Sequence, residues 1–132
     1  MTLRTALCVL VLFLTGPALA DEPMPVEIAA QVKPGEKADL DLQSISRYGE
    51  VIGRFEIVIA MAEGTPNTDA AYRRVRYISN CEEGTITLAA VGVFDSNGNV
   101  LKSLVAPPRS LDPIKPEKGT EQAKWLRRVC MF

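Results

Sequence analysis

The chain contains no histidine. That absence removes the usual general base at neutral pH, the Ser-His and Cys-His couples, and most zinc sites. Cysteine is scarce, at three residues, and none are spaced as C-x-x-C, so the sequence holds neither a redox motif nor a thiolate cluster. No G-x-G-x-x-G or P-loop pattern occurs, which leaves no phosphate-cradling loop. Charge of one sign is also lacking: 15 basic and 16 acidic residues give a net charge of −1, so no global field draws the protein to nucleic acid or anionic lipid. The paired carboxylates Asp39 and Asp41 lie two apart on one strand face and read as a solvated edge rather than an acid/base couple. These absences predict a protein that is not an enzyme, with no catalytic residues, cofactor or metal site.

Long hydrophobic runs are missing too. Ala6 to Leu14 is a nine-residue apolar run, whereas a membrane-spanning helix needs roughly 18 or more. Preceded by Arg4 and followed by Ala18-Leu19-Ala20, the run reads as a secretory signal over residues 1–20, cleaved before Asp21. Export places the protein in the periplasm, at the outer-membrane surface or outside the cell, with no transmembrane segment after cleavage. Cys8 lies inside the apolar run rather than at the cleavage point, so it leaves with the signal and provides no lipid anchor. Cys81 and Cys130 then remain as one pair in an oxidising compartment, which predicts a disulfide. Closing a loop of this length is worth roughly 4 kcal/mol in the chain-entropy model.

Residues 21–37 carry Pro23, Pro25, Pro34 and Gly35 and read as a lead-in running over the surface, with Val26 to Val32 paired at a sheet edge. Beyond it the pattern changes to strands, expected over Asp39 to Arg47, Val51 to Ala60, Tyr72 to Cys81, Thr85 to Phe94 and Asn99 to Val105. In the first, Leu40 and Leu42 are out of phase with Ile45, which calls for a bulge. Asp95-Ser96-Asn97-Gly98 has the Asn-Gly of a tight hairpin turn, whose two central residues need positive φ. A calcium loop at Asp95, Asn97 and Asn99 fails because Gly98 is fourth and position twelve is Ala106. Pro107, Pro108, Pro113 and Pro116 then impose an extended crossing, and Thr120 caps a short helix that reaches Cys130. The fold class is therefore α+β, mostly β: an antiparallel sheet of about five to six strands with one C-terminal helix, closed by the disulfide.

Alternation places Val75, Tyr77 and Ser79 on one face of the central strand and Arg74 and Arg76 on the other, with Arg73 facing away from them. Arg54 and Glu56 occupy the polar side of the preceding strand. Pairing the two strands would gather Arg54, Arg74 and Arg76 on the solvent face, either as solubilising residues offset by Glu56 and neighbouring acids or as a candidate docking surface for an acidic partner or sulfated glycan.

Several segments together resemble the surface-adhesin protein E family of small exported Gram-negative proteins. They are Asp41-Leu42-Gln43-Ser44-Ile45, the strand ending at Cys81, the Phe94-Asp95-x-x-Gly98-x-Val100 hairpin, and the proline-bearing crossing into a helix that ends at Cys130, covering residues 38–132. The resemblance implies an antiparallel sheet packed on a helix and an adhesin-like module. For the founder of the family it implies binding to host matrix proteins such as vitronectin and laminin. Adhesins of this kind are lipid-anchored, unlike this chain. A periplasmic accessory or structural subunit of an envelope complex is the alternative, and the sequence leaves a homodimer open.

Overall fold

The computed structural model describes residues 25–62, 69–107 and 112–132. The signal sequence expected over residues 1–20 lies outside them, as do parts of the loop after Ala60 and of the proline-rich crossing. Five strands, β1 (Lys37–Tyr48), β2 (Ile52–Ala60), β3 (Ala70–Asn80), β4 (Thr85–Asp95) and β5 (Val100–Val105), form one antiparallel sheet ordered as they occur in the chain. Two helices, α1 (Val26–Ala29) and α2 (Glu121–Cys130), accompany it. Every connection is local, as the short turn sequences require.

Period-two alternation decides which face is buried. Phe55, Ile57 and Ile59 on β2, with Val75 and Tyr77 on β3 and Ile86, Leu88 and Val91 on β4, form the core with Trp125, Leu126 and Val129 of α2. Phe55 and Tyr77 stack with ring centroids 5.4 Å apart. At Gly53, opposite Ser79 in the β2–β3 register, an added Cβ would sit 2.7 Å from the Ser79 Oγ, so only glycine admits this close approach.

The bulge expected in β1 is there. Pairing with β2 shifts register between Asp41 and Ser46, and Ser44 bridges the gap. Its Oγ accepts the Glu56 N–H at 2.8 Å and donates to the Asp41 carbonyl at 2.6 Å. The β4–β5 hairpin is also as expected in place but differs in turn type. The Asp95 and Asn99 backbones pair at 3.0 Å, and the Gly98 N–H donates to the Asp95 carbonyl at 3.1 Å. Asn97 and Gly98 are thus the last two residues of a three-residue loop, a tight turn followed by a residue at φ 81°, rather than the centre of a two-residue turn. The Asp95 carboxylate selects this form by accepting N–H bonds from Asn97 at 2.9 Å and Asn99 at 2.8 Å. These bonds, the one from Asn99 foremost, hold its carboxyl below the usual range.

One expectation is overturned. Val26 to Ala29 do not pair at a sheet edge; they form helix α1, with Val26 and Ala29 buried against the core. Pro25 holds an extended conformation at the N-cap, and Val26 and Ala29, three apart, fall on one helical face. Tertiary burial, not propensity, supports so short a helix.

The C-terminal helix is fastened in three ways. Thr120 caps it, its Oγ1 accepting the Ala123 N–H at 3.2 Å. Arg47 on β1 donates to the Val129 and Cys130 carbonyls at 3.2 and 3.1 Å, placing a cation where the helix leaves carbonyls unpaired. Cys81, just past β3, is joined to Cys130, with Cα atoms 5.6 Å apart and a sequence separation of 49. Losing that crosslink by Cys130→Ser should lower the melting temperature by roughly 10–20 °C, since about 4 kcal/mol is at stake in a domain of this size. Calorimetry of the oxidised wild type and the variant checks this, and equal midpoints would refute it.

Candidate partner-binding face

Both helices lie on the core face of the sheet, and the opposite face remains open among the described residues. The strand register sets what it displays. Asp41 lies opposite Glu56, Glu56 opposite Arg76, and Arg54 opposite Ile78. Arg74 donates to Asp41 at 2.9 Å and to Glu56 at 3.2 Å, while Arg76 reaches the other oxygen of Glu56 at 2.9 Å. The result is a four-membered ladder of alternating sign across three strands. Its members are half-exposed, so each pair contributes at most modestly to stability, and more to fixing the geometry of the face. The hydrogen bond from Arg74 holds the Asp41 carboxyl below its usual range, and the same bond raises Arg74.

The three arginines thus share one face, with Arg74 and Arg76 balanced by Asp41 and Glu56. Arg54 shares the face and makes no ion pair among the described residues. Glu56 offsets Arg74 and Arg76 as alternation along β2 and β3 leads one to expect, and the second acid, Asp41, is delivered by β1 from two strands across.

Next to the ladder the face becomes apolar. Tyr72 and Phe94, opposite one another on β3 and β4, stack with centroids 5.1 Å apart and planes 5° apart. Phe94 folds back over Gly92, where an added Cβ would lie 2.8 Å from the ring. Val100 and Val105 on β5 continue the strip, 60% and 74% exposed. Sequence reasoning missed this half, although Tyr72 and Phe94 are in phase with Arg74 and Gly92 respectively.

Arg73 does face the other way, and the reason it can be buried is complete satisfaction of its donors. It is 5% exposed. Nε donates to the Ala29 carbonyl at 2.8 Å, and Nη2 to the Gln31 carbonyl at 2.7 Å and Glu36 at 2.9 Å. Nη1 donates to Glu36 at 2.6 Å and to the Met61 sulfur at 3.1 Å. All five N–H groups are used. Glu36 also accepts the Lys33 N–H at 2.8 Å. The Arg73 hydrogen bonds lead in holding its carboxyl below the ordinary 4.5, against the opposing effect of burial.

No protein-family model and no curated protein matches this sequence. Solved structures do match in fold. A structure of Haemophilus influenzae protein E aligns with a TM-score of 0.56 at 18% identity, covering 76% of this chain and 87% of that one. Its selenomethionine form gives 0.53 at 16% identity, with 76% and 89% covered, and a second crystal form gives 0.52 at 14%, with 76% and 91% covered. At these identities the likeness is one of fold, and the chain has a protein E-like fold.

A depressed carboxyl stabilises the folded state above its unfolded pKa, and that contribution is lost as pH falls through the lower folded value. Glu36→Gln should therefore cost about 3 kcal/mol at pH 7, as expected for breaking a buried ion pair. The gap to wild type should narrow steadily below the ordinary pKa of 4.5. Urea unfolding from pH 7 down to about pH 3 measures both; Asp41 and Asp95, present in both proteins, drop out of the difference. A gap that is constant with pH would contradict the assignment.

Proposed function

We propose that this chain is an exported, non-catalytic binding module of the protein E type, which captures a protein partner at or outside the bacterial envelope. The observation that carries the reading is the open sheet face. Helices cover one side of the sheet, while the other presents an oriented ion-pair ladder beside a half-buried aromatic pair and the exposed valines of β5. A surface of that composition suits a protein interface: aromatic and arginine side chains anchor such contacts, and charge pairs set orientation. The protein E-like fold supports the class of function. Host matrix proteins such as vitronectin and laminin are the partners to test first, and Arg54, Arg74 and Arg76 are the partner-binding residues. Arg54, with no carboxylate of its own, is the guanidinium most available to a partner's acid.

The domain arrangement follows: a signal over residues 1–20, a lead-in over 21–37 and the binding domain over 38–132. The mature protein begins at Asp21 and carries no acyl chain at Cys8. Among the described residues no helix is long and apolar enough to cross a membrane.

Surface-plasmon binding of wild type and the Arg54→Ser, Arg74→Ser, Arg76→Ser triple variant to immobilised vitronectin and laminin, at low and moderate salt, tests the interface. The triple variant should bind about tenfold more weakly at low salt, with a smaller difference at moderate salt and unchanged circular dichroism. Equal affinities would remove the arginines from the interface. For export, intact-mass measurement of the protein recovered from the envelope should give a chain starting at Asp21, and incorporation of labelled palmitate would contradict it.

A further inference from the structure

On the core face lies a cavity of about 790 Å³, floored by the sheet and flanked by residues from both helical segments. The volume falls within the range of small-molecule sites, roughly 300–1,000 Å³. Ile57, Val75 and Leu88 contribute the apolar floor, and Trp125 of α2 one wall. This space is distinct from the open face and does not depend on the function proposed for it.

Two features specify the ligand. First, Tyr77 and Trp125 line the cavity and are only 7% and 9% exposed. Their rings give the cavity an aromatic wall beside its aliphatic floor. Second, among the described residues every charged side chain lining the cavity is acidic: Glu27, Glu36, Asp112 and Glu121. Glu36 is held by Arg73, and Glu121 has only the exposed Lys124 at 3.0 Å. Glu27, Asp112 and Glu121 are themselves exposed and ring the mouth rather than the floor.

We propose that this cavity is a binding site for a small organic cation with an apolar body, of the alkylammonium or arylammonium class. The apolar body would lie on Ile57, Val75 and Leu88, and the cationic end would sit at the carboxylate rim. Tyr77 and Trp125 would supply aromatic surface, which favours cations over anions. An amphiphile of opposite charge would place its head among three carboxylates, so the site discriminates by sign as well as by apolarity.

The protein has a single tryptophan, Trp125, so its emission reports on this site alone. The test titrates the oxidised protein with octyltrimethylammonium and, separately, with octanoate, at low salt and below micelle formation. The cation should change Trp125 emission saturably, with a Kd at least tenfold below that of octanoate. The Glu27→Gln, Asp112→Asn, Glu121→Gln variant alters only exposed positions, and should bring the two probes within about threefold while circular dichroism is unchanged. Ala38→Phe, which fills the cavity from β1, should abolish the cation response measured by calorimetry. Equal binding of the two probes, no saturable change with either, or a charge preference that survives the triple substitution would each overturn the proposal.

Discussion

A guanidinium buried near the start of β3 must find partners for five N–H groups, and at Arg73 they come from three separate stretches of chain. Ala29 and Gln31 supply carbonyls from the end of α1 and the residues after it, Glu36 supplies a carboxylate ahead of β1, and Met61 supplies its sulfur after β2. Removing any of these would leave part of a buried charge unpaired, which costs more than the bond itself contributes. The position of α1 is thus set less by its own four residues than by a side chain lying 44 residues away in sequence from Ala29.

The other helix is secured by different chemistry. α2 is joined to the end of β3 by the Cys81–Cys130 crosslink, and its C-terminal carbonyls are met by Arg47 from β1. One helical segment is held by ionic hydrogen bonds and the other largely by a covalent bond. Because each is fixed to the sheet independently, nothing requires them to touch, and the sheet between them remains accessible. The same division explains why the opposite face is free: both helices are recruited to the side that carries Arg73, Val75, Tyr77 and Ser79.

Much of this architecture was legible in local sequence pattern. Alternation along Arg73 to Ser79 separated the two faces, the phase break between Leu42 and Ile45 marked the bulge, and two surviving cysteines marked the crosslink. Each signal lies within a few residues or depends on counting alone. The misses have a common physical origin in distance. Helix α1 is too short to show a 3.6-residue period, and its flanking prolines read as surface chain until Arg73 is known to hold it. Alternation showed that Arg73 points inward but could not name Glu36 as its partner. In the same way, Arg74 was placed on the solvent face, while its neutralisation by Asp41 depends on strand order. The cavity depends on the spacing of two helices that share no sequence pattern.

The register break in β1 has a further effect, on how the folded molecule behaves at high concentration. β1 and β5 are the outer strands of an open sheet, and a long regular outer strand is a template for adding another chain. In β1 the break between Asp41 and Ser46 divides a 12-residue strand into two short regular stretches, and in β5 a second irregularity opposite Val93 and Phe94 shortens an already brief one. Bulges bend and twist a strand locally, so neither border offers a straight run on which a growing fibril could nucleate. The serine that bridges the β1 gap therefore favours colloidal stability as well as pairing: the apolar strip can remain exposed while runaway stacking of one sheet upon another is resisted.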